Sequence, residues 1–125
     1  DKDSVEKARE ALKKKGQTEV MMIDCSHGNS QKNHKNQPKV AQVIGDQLRE
    51  GQDKIVGVML ESHIHEGAQK NPAQGLAALE KGVSITDACI NWDTTVEVCE
   101  QLADAVRTRR QVRKTGAEGS LNGVH

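Results

Sequence analysis

Three short apolar runs constrain the fold of this chain most: Glu19–Asp24 (EVMMID), Lys54–Leu60 (KIVGVML) and Val83–Thr86 (VSIT). None is long enough for a helix. The first two lack the apolar–polar alternation of a half-exposed strand and read as buried strands, and VSIT reads as a third short strand. Helical periodicity fills the gaps between them. Val5, Ala8, Ala11 and Leu12 recur at helical spacing, Asp3-Ser4-Val5-Glu6 resembles a capping box, and Gly16 is a stop. Pro38 opens a second stripe through Val40, Val43, Ile44 and Leu48, closed by Gly51. Thr94-Thr95-Val96-Glu97 is another capping box, and Val98, Cys99, Leu102, Ala105 and Val106 carry a third helix to about Val112. Strands alternating with helices indicate parallel β/α units and an α/β fold.

Two polar connections interrupt this order. Ser26–Gln37 has no apolar residue and reads as a loop; Glu61–Gly82 reads as a long loop with a helical turn near Leu76–Glu80. Residues 1–113 form one domain, and 114–125 (KTGAEGSLNGVH) are polar, aperiodic and read as a disordered tail.

Composition excludes several classes. The chain has 125 residues, 18 Lys plus Arg and 18 Asp plus Glu, so no net charge draws it to nucleic acid or an anionic membrane. No run approaches the ~18 apolar residues of a membrane span. The first ten residues lack an apolar core behind a basic flank, which argues against a signal peptide. Three cysteines without a CxxC are neither a disulfide framework nor a zinc knuckle and indicate a reducing compartment. Trp92 is the one aromatic residue, and only 34% of residues are hydrophobic. Aromatics supply the largest buried areas, so the core is thin, as in a part of something larger.

Each apolar run leads into chemistry-bearing residues: Asp24-Cys25-Ser26-His27, Glu61-Ser62-His63 and Asp87-Ala88-Cys89. In parallel α/β folds the carboxyl ends of strands open onto one face, where sites are built. His27, Glu61 and Asp87 could therefore converge. One imidazole and two carboxylates suit Mn²⁺, Fe²⁺ or Zn²⁺; the same residue types at strand ends also cap loops and bond backbone. His63 and His65 are loop residues if the strand has ended, and His34 reads as solvated. Cys25 has no base-and-orienter pattern that would make it a nucleophile. Cys89 and Cys99 read as small core residues. Lys32, Lys35 and Lys39 with Asn33 and Asn36 could touch a phosphate, although a solvated loop is the simpler reading.

Four blocks in order, MMIDCSHGNS, QPKV, IVGVMLESHIHEG and GVSITDACINW, resemble 3-deoxy-D-arabino-heptulosonate 7-phosphate (DAHP) synthase of the microbial, feedback-regulated type, over about Thr18 to Arg110. The resemblance implies the C-terminal portion, about strands 6–8 with their helices, of a (β/α)8 barrel. It implies a transferase that condenses phosphoenolpyruvate with erythrose 4-phosphate, the first step of the shikimate pathway. It further implies a divalent metal held by a Cys, a His, a Glu and an Asp. His27, Glu61 and Asp87 match the last three; Cys25, Cys89 and Cys99 do not match the Cys, which lies on an earlier strand of the family. A cytoplasmic homo-oligomer is implied for the full enzyme. A start at Asp1 instead of Met favours a fragment, inactive by itself. The rival is a short, catalytically dead chain that acts as an interaction or regulatory partner of the intact synthase.

Overall fold

The computed structural model describes residues 1–121. Its elements are α1 (Lys2–Lys14), β1 (Met21–Asp24), α2 (Gln37–Arg49), β2 (Ile55–Met59) and α3 (Trp92–Leu121), with 3₁₀ turns at His34–Asn36 and Leu76–Ala78. The chain is α/β. β1 and β2 pair in parallel, with α2 as the crossover between them. The expected first and second strands are present, trimmed at their ends.

Helix ends follow local chemistry. The cap of α1 is Asp1, whose side chain accepts from the Ser4 N–H at 2.8 Å, so Asp3 lies inside the first turn instead of capping it. At the other end Gly16 turns left-handed at φ +66°, and Gly16 and Gln17 N–H close on the Lys13 and Leu12 carbonyls. Gly51, at φ +103°, closes α2 the same way with Gln52. Both are paired terminal bonds of the kind glycine makes cheap. For α3 the capping side chain is Asn91, which accepts from Thr94 N–H at 2.8 Å, three residues before the expected box.

The core joins Val5 of α1, Cys25, Ala41, Ile44 and Leu48 of α2, Ile55 of β2, and Val98 and Ala105 of α3. α2 packs along α3, and Gly45 makes the close approach: a methyl group there would meet Ala105 Cβ at 3.7 Å. Met22 and Val56 remain 66% and 64% exposed. Parallel sheets are ordinarily covered on both faces, so this sheet has apolar surface without a partner among the described residues.

Two expectations are corrected. Val83–Thr86 is not a strand. Ser84, Cys89 and Ile90 make only isolated bridges, to Ala68, Gly67 and Ser62. Ser84 Oγ takes the Thr86 N–H at 3.2 Å, a local bond that competes with a ladder. The tail is also helical as far as it is described: α3 runs to Leu121, past the expected end at Val112. No proline interrupts it, and each further residue adds a backbone bond once a helix is nucleated. Arg109 Nη1 donates to the Gln52 carbonyl at 3.0 Å, tying the second half of α3 to the α2–β2 turn. Residues 122–125 of the expected tail lie outside the described residues. Among the described residues, no helix is long and apolar enough to cross a membrane.

Candidate metal centre

β1 ends at Asp24, and the chain then turns sharply. Asp24 Oδ1 accepts from the Ser26 N–H at 2.7 Å, and Asn29 Nδ2 donates to the Asp24 carbonyl at 2.7 Å. His27 sits in this turn with a left-handed φ of +41°, sparsely populated for a residue with a Cβ. Its Nδ1 lies 2.7 Å from Asp24 Oδ2. An ionised carboxylate can only accept, so Nδ1 carries the proton. The neutral ring then presents the lone pair of Nε2.

Nε2 faces Glu61 Oε1 at 3.6 Å and Asp87 Oδ2 at 3.9 Å. The three ligand atoms all lie within 4.8 Å of one another. Two ligands about 2.1 Å from one ion stand ~3–4 Å apart, so the spacing fits a shared divalent cation. A nitrogen and two carboxylate oxygens suit Mn²⁺, Fe²⁺ or Zn²⁺. An acidic partner on the far side of a ligating imidazole is the usual way its tautomer is held, and Asp24 occupies that position.

Glu61 lies two residues past β2 and is held at four points, one of them the Ile90 N–H donating to its carbonyl at 3.0 Å. Ser26 Oγ donates to its Oε2 at 2.6 Å. The fully buried Gln37 side chain donates to the Glu61 carbonyl at 3.1 Å and accepts its N–H at 2.9 Å. Asp87 arrives from the bridged segment and stays 72% exposed. The three residues singled out from the sequence thus meet, although the third run forms no strand.

The electrostatics follow from this packing. The hydrogen bond that His27 donates to Asp24, then the Asp24 charge, raise the His27 pKa above its ordinary value; desolvation opposes this, and Glu61 and Asp87 add to it. Burial, with some help from the Asp24 charge, pushes the Cys25 thiol up to about 11. Cys25 is fully buried in the core, consistent with no nucleophilic part. Cys89 is buried as well, but Cys99 is exposed on α3, against expectation, because its helix face has no partner among the described residues. His63 and His65 are exposed and do not line the cleft.

Sequence reasoning placed several groups incompletely. The cleft beside the triad, about 170 Å³, is also lined by His34 and by Lys32, which the sequence offered as a possible phosphate contact but more simply as part of a solvated loop. His34 is not solvated: its side chain is 16% exposed and Nε2 lies 3.3 Å from Glu66 Oε2. Asp24 and Gln37 were missed. The i, i+3 spacing of Asp24 and His27 at a strand end could have revealed the first; Gln37 reaches Glu61 only through the tertiary fold.

The family model described as the DAHP synthetase I family matches residues 1–100. A putative phospho-2-dehydro-3-deoxyheptonate aldolase of Schizosaccharomyces pombe is 56% identical over 110 residues, 88% of this chain and 30% of that protein. The phenylalanine-inhibited phospho-2-dehydro-3-deoxyheptonate aldolase of Saccharomyces cerevisiae is 51% identical over 119 residues, 91% of this chain and 32% of that protein. A solved phospho-2-dehydro-3-deoxyheptonate aldolase of Francisella tularensis superposes with a TM-score of 0.80 at 40% identity, covering 86% of this chain and 30% of that one. The chain spans about 30% of the length of these relatives.

Proposed function

The chain belongs to the DAHP synthetase I family, and we propose from that premise that it is the metal-bearing C-terminal portion of a (β/α)8 synthase barrel. The complete enzyme condenses phosphoenolpyruvate with erythrose 4-phosphate to DAHP and phosphate. The observation that carries this reading is the meeting of His27, Glu61 and Asp87 ligand atoms in one cleft. The exposed Met22 and Val56 of the sheet support a barrel completed by further strands. Free cysteines support a reducing, cytoplasmic setting, and by family likeness the complete enzyme is a homo-oligomer.

His27, Glu61 and Asp87 would hold the divalent metal, which when bound supplies Lewis-acid polarisation of the aldehyde oxygen. The chain's own groups prepare the place. Asp24 holds the proton on His27 Nδ1 and so aims the Nε2 lone pair into the cleft. Ser26 takes up Glu61 Oε2 and leaves Oε1 facing the imidazole. Gln37 pins the backbone beneath Glu61, so the carboxylate does not swing as the cleft fills.

His27→Ala and Asp87→Ala in the complete enzyme test the assignment. Both should lose bound metal and condensation activity, and added Mn²⁺ should not fully restore turnover. Wild-type turnover and metal content in either variant would remove the residue from the ligand set. The 125-residue chain alone should not turn over; robust condensation by it would overturn the partial-barrel reading.

A further inference from the structure

We propose that the hydroxyls of Ser62 and Thr95 form a clasp that holds the Asp87 segment against Glu61, which makes both positioning residues for the candidate metal centre. The clasp takes its functional meaning from the metal-site reading above and rests on it there.

Asp87 is the member of the triad with the least support from secondary structure. His27 and Glu61 follow closely on the paired strands β1 and β2, whereas Asp87 belongs to a segment without a ladder, and its side chain is 72% exposed. Its Oδ2 still stands 3.9 Å from His27 Nε2. The residues just after it fix that position. Cys89 and Ile90 are both buried and bridged. Cys89 exchanges backbone bonds with Gly67 at 2.9 and 3.1 Å. The Ile90 N–H donates to the Glu61 carbonyl at 3.0 Å, and the Ile90 carbonyl accepts the His63 N–H at 2.9 Å. Ser62 lies between those two bonds, opposite Ile90. So few backbone bonds are marginal by themselves, and a side-chain link that adds to them acts directly on where Asp87 sits.

The hydroxyl pair supplies that link, and its hydrogen bonds run in one direction. Thr95 Oγ1 lies 2.8 Å from the Asn91 carbonyl, which can only accept, so the single Thr95 hydroxyl proton goes there. In the bond between Ser62 Oγ and Thr95 Oγ1, Ser62 is therefore the donor. Thr95 is buried, and its N–H reaches the same Asn91 carbonyl at 3.0 Å. Asn91 Oδ1 in turn caps α3 through the Thr94 N–H at 2.8 Å. The exit of β2, the Ile90 bridge and the first turn of α3 thus close into one hydrogen-bonded unit. Glu61 is next to Ser62 in it, and Asp87 stands shortly before Ile90.

The test compares wild type, Thr95→Val, Thr95→Ser and Ser62→Ala in the complete enzyme. Valine keeps the shape of threonine without the hydroxyl; serine keeps the hydroxyl. Calorimetric Mn²⁺ titration should show about tenfold or more weaker binding in Thr95→Val and Ser62→Ala, the loss usual for groups that stand behind metal ligands, and near wild-type binding in Thr95→Ser. The electron paramagnetic resonance spectrum of bound Mn²⁺ should change in the two weakened variants. In metal-free protein, hydrogen exchange of the Ile90 and His63 amides should quicken in the same two. A lowered melting temperature with unchanged Mn²⁺ affinity and spectrum would show a merely structural pair and overturn the proposal; unchanged exchange at Ile90 and His63 would overturn it as well. If Thr95→Val does not fold by circular dichroism, Ser62→Ala, which leaves the Thr95–Asn91 bonds in place, decides on the same criteria. Faster exchange in the variants of a wild type that binds no Mn²⁺ would sink the metal-site reading and leave the clasp standing.

Discussion

The Gln37 side chain pairs with the Glu61 backbone as a neighbouring strand would: its amide nitrogen donates to the Glu61 carbonyl at 3.1 Å and its oxygen accepts the Glu61 N–H at 2.9 Å. Gln37 is the first residue of α2 and is fully buried. Glu61 stands past the end of β2, where an isolated bridge brings only the Ile90 N–H to its carbonyl at 3.0 Å. One glutamine thus completes the backbone pairing at the point where a metal-facing carboxylate must be aimed.

Gln37→Ala should therefore act twice. It leaves the part-buried Glu61 N–H without its partner, while the carbonyl keeps the Ile90 N–H; such a loss costs roughly 1–3 kcal/mol of stability. It also frees Glu61, so Mn²⁺ should bind more weakly. Urea denaturation and calorimetric Mn²⁺ titration read the two effects separately. Unchanged metal affinity in a folded variant would show that Gln37 does not position Glu61.

Asp24→Asn should lower the His27 pKa, because the carboxylate is the largest cause of its elevation. The sign for stability follows from that elevation. The favourable His27–Asp24 interaction is fully present below the ordinary histidine value of 6.5 and is lost as pH rises through the folded-state pKa. Metal binding has the opposite dependence, since only the neutral imidazole ligates, so Mn²⁺ affinity should fall as pH drops through that pKa. An NMR titration of the His27 ring in wild type and Asp24→Asn checks the shift; identical midpoints would contradict it.

Thiol reactivity should separate the cysteines. Cys99 is exposed and should react with a disulfide reagent in the native protein near pH 8. Cys25, fully buried with its thiol pushed up to about 11, should wait for unfolding, and buried Cys89 should also lag. Three equal rates would mean that the core around Cys25 opens readily.

Two glycines should respond in opposite directions. Gly82 has φ +82°, and a Cβ there would stand 2.8 Å from His65 Cδ2, so Gly82→Ala should destabilise by about 1 kcal/mol or more. Gly116 lies within α3 with nothing within 4 Å of its would-be Cβ, so Gly116→Ala should stabilise by about 0.5–1 kcal/mol. Thermal melts followed by circular dichroism decide both signs.

Much of the architecture was legible in the residues. The runs EVMMID and KIVGVML became a parallel pair, and the stripes of α1, α2 and α3 became helices. Helix ends were read less well. Asp1 and Asn91 cap where the boxes at Asp3 and Thr94 were expected, because several polar side chains near a helix start compete and local geometry selects one. VSIT looked like a strand from its apolar content, but strand identity needs a neighbour that continues alongside, and its serine bonded locally instead.

His27, Glu61 and Asp87 as the candidate site, and the α/β order that places two of them at strand ends, were determined by the sequence alone. Periodicity and residue chemistry are local properties and can be read along the chain. The partners Asp24, Ser26 and Gln37, the seating of His34 and Lys32 beside the triad, and the surfaces left bare were decided by tertiary structure. Those depend on contacts between residues far apart in sequence, where packing, and not spacing, selects which donor meets which acceptor.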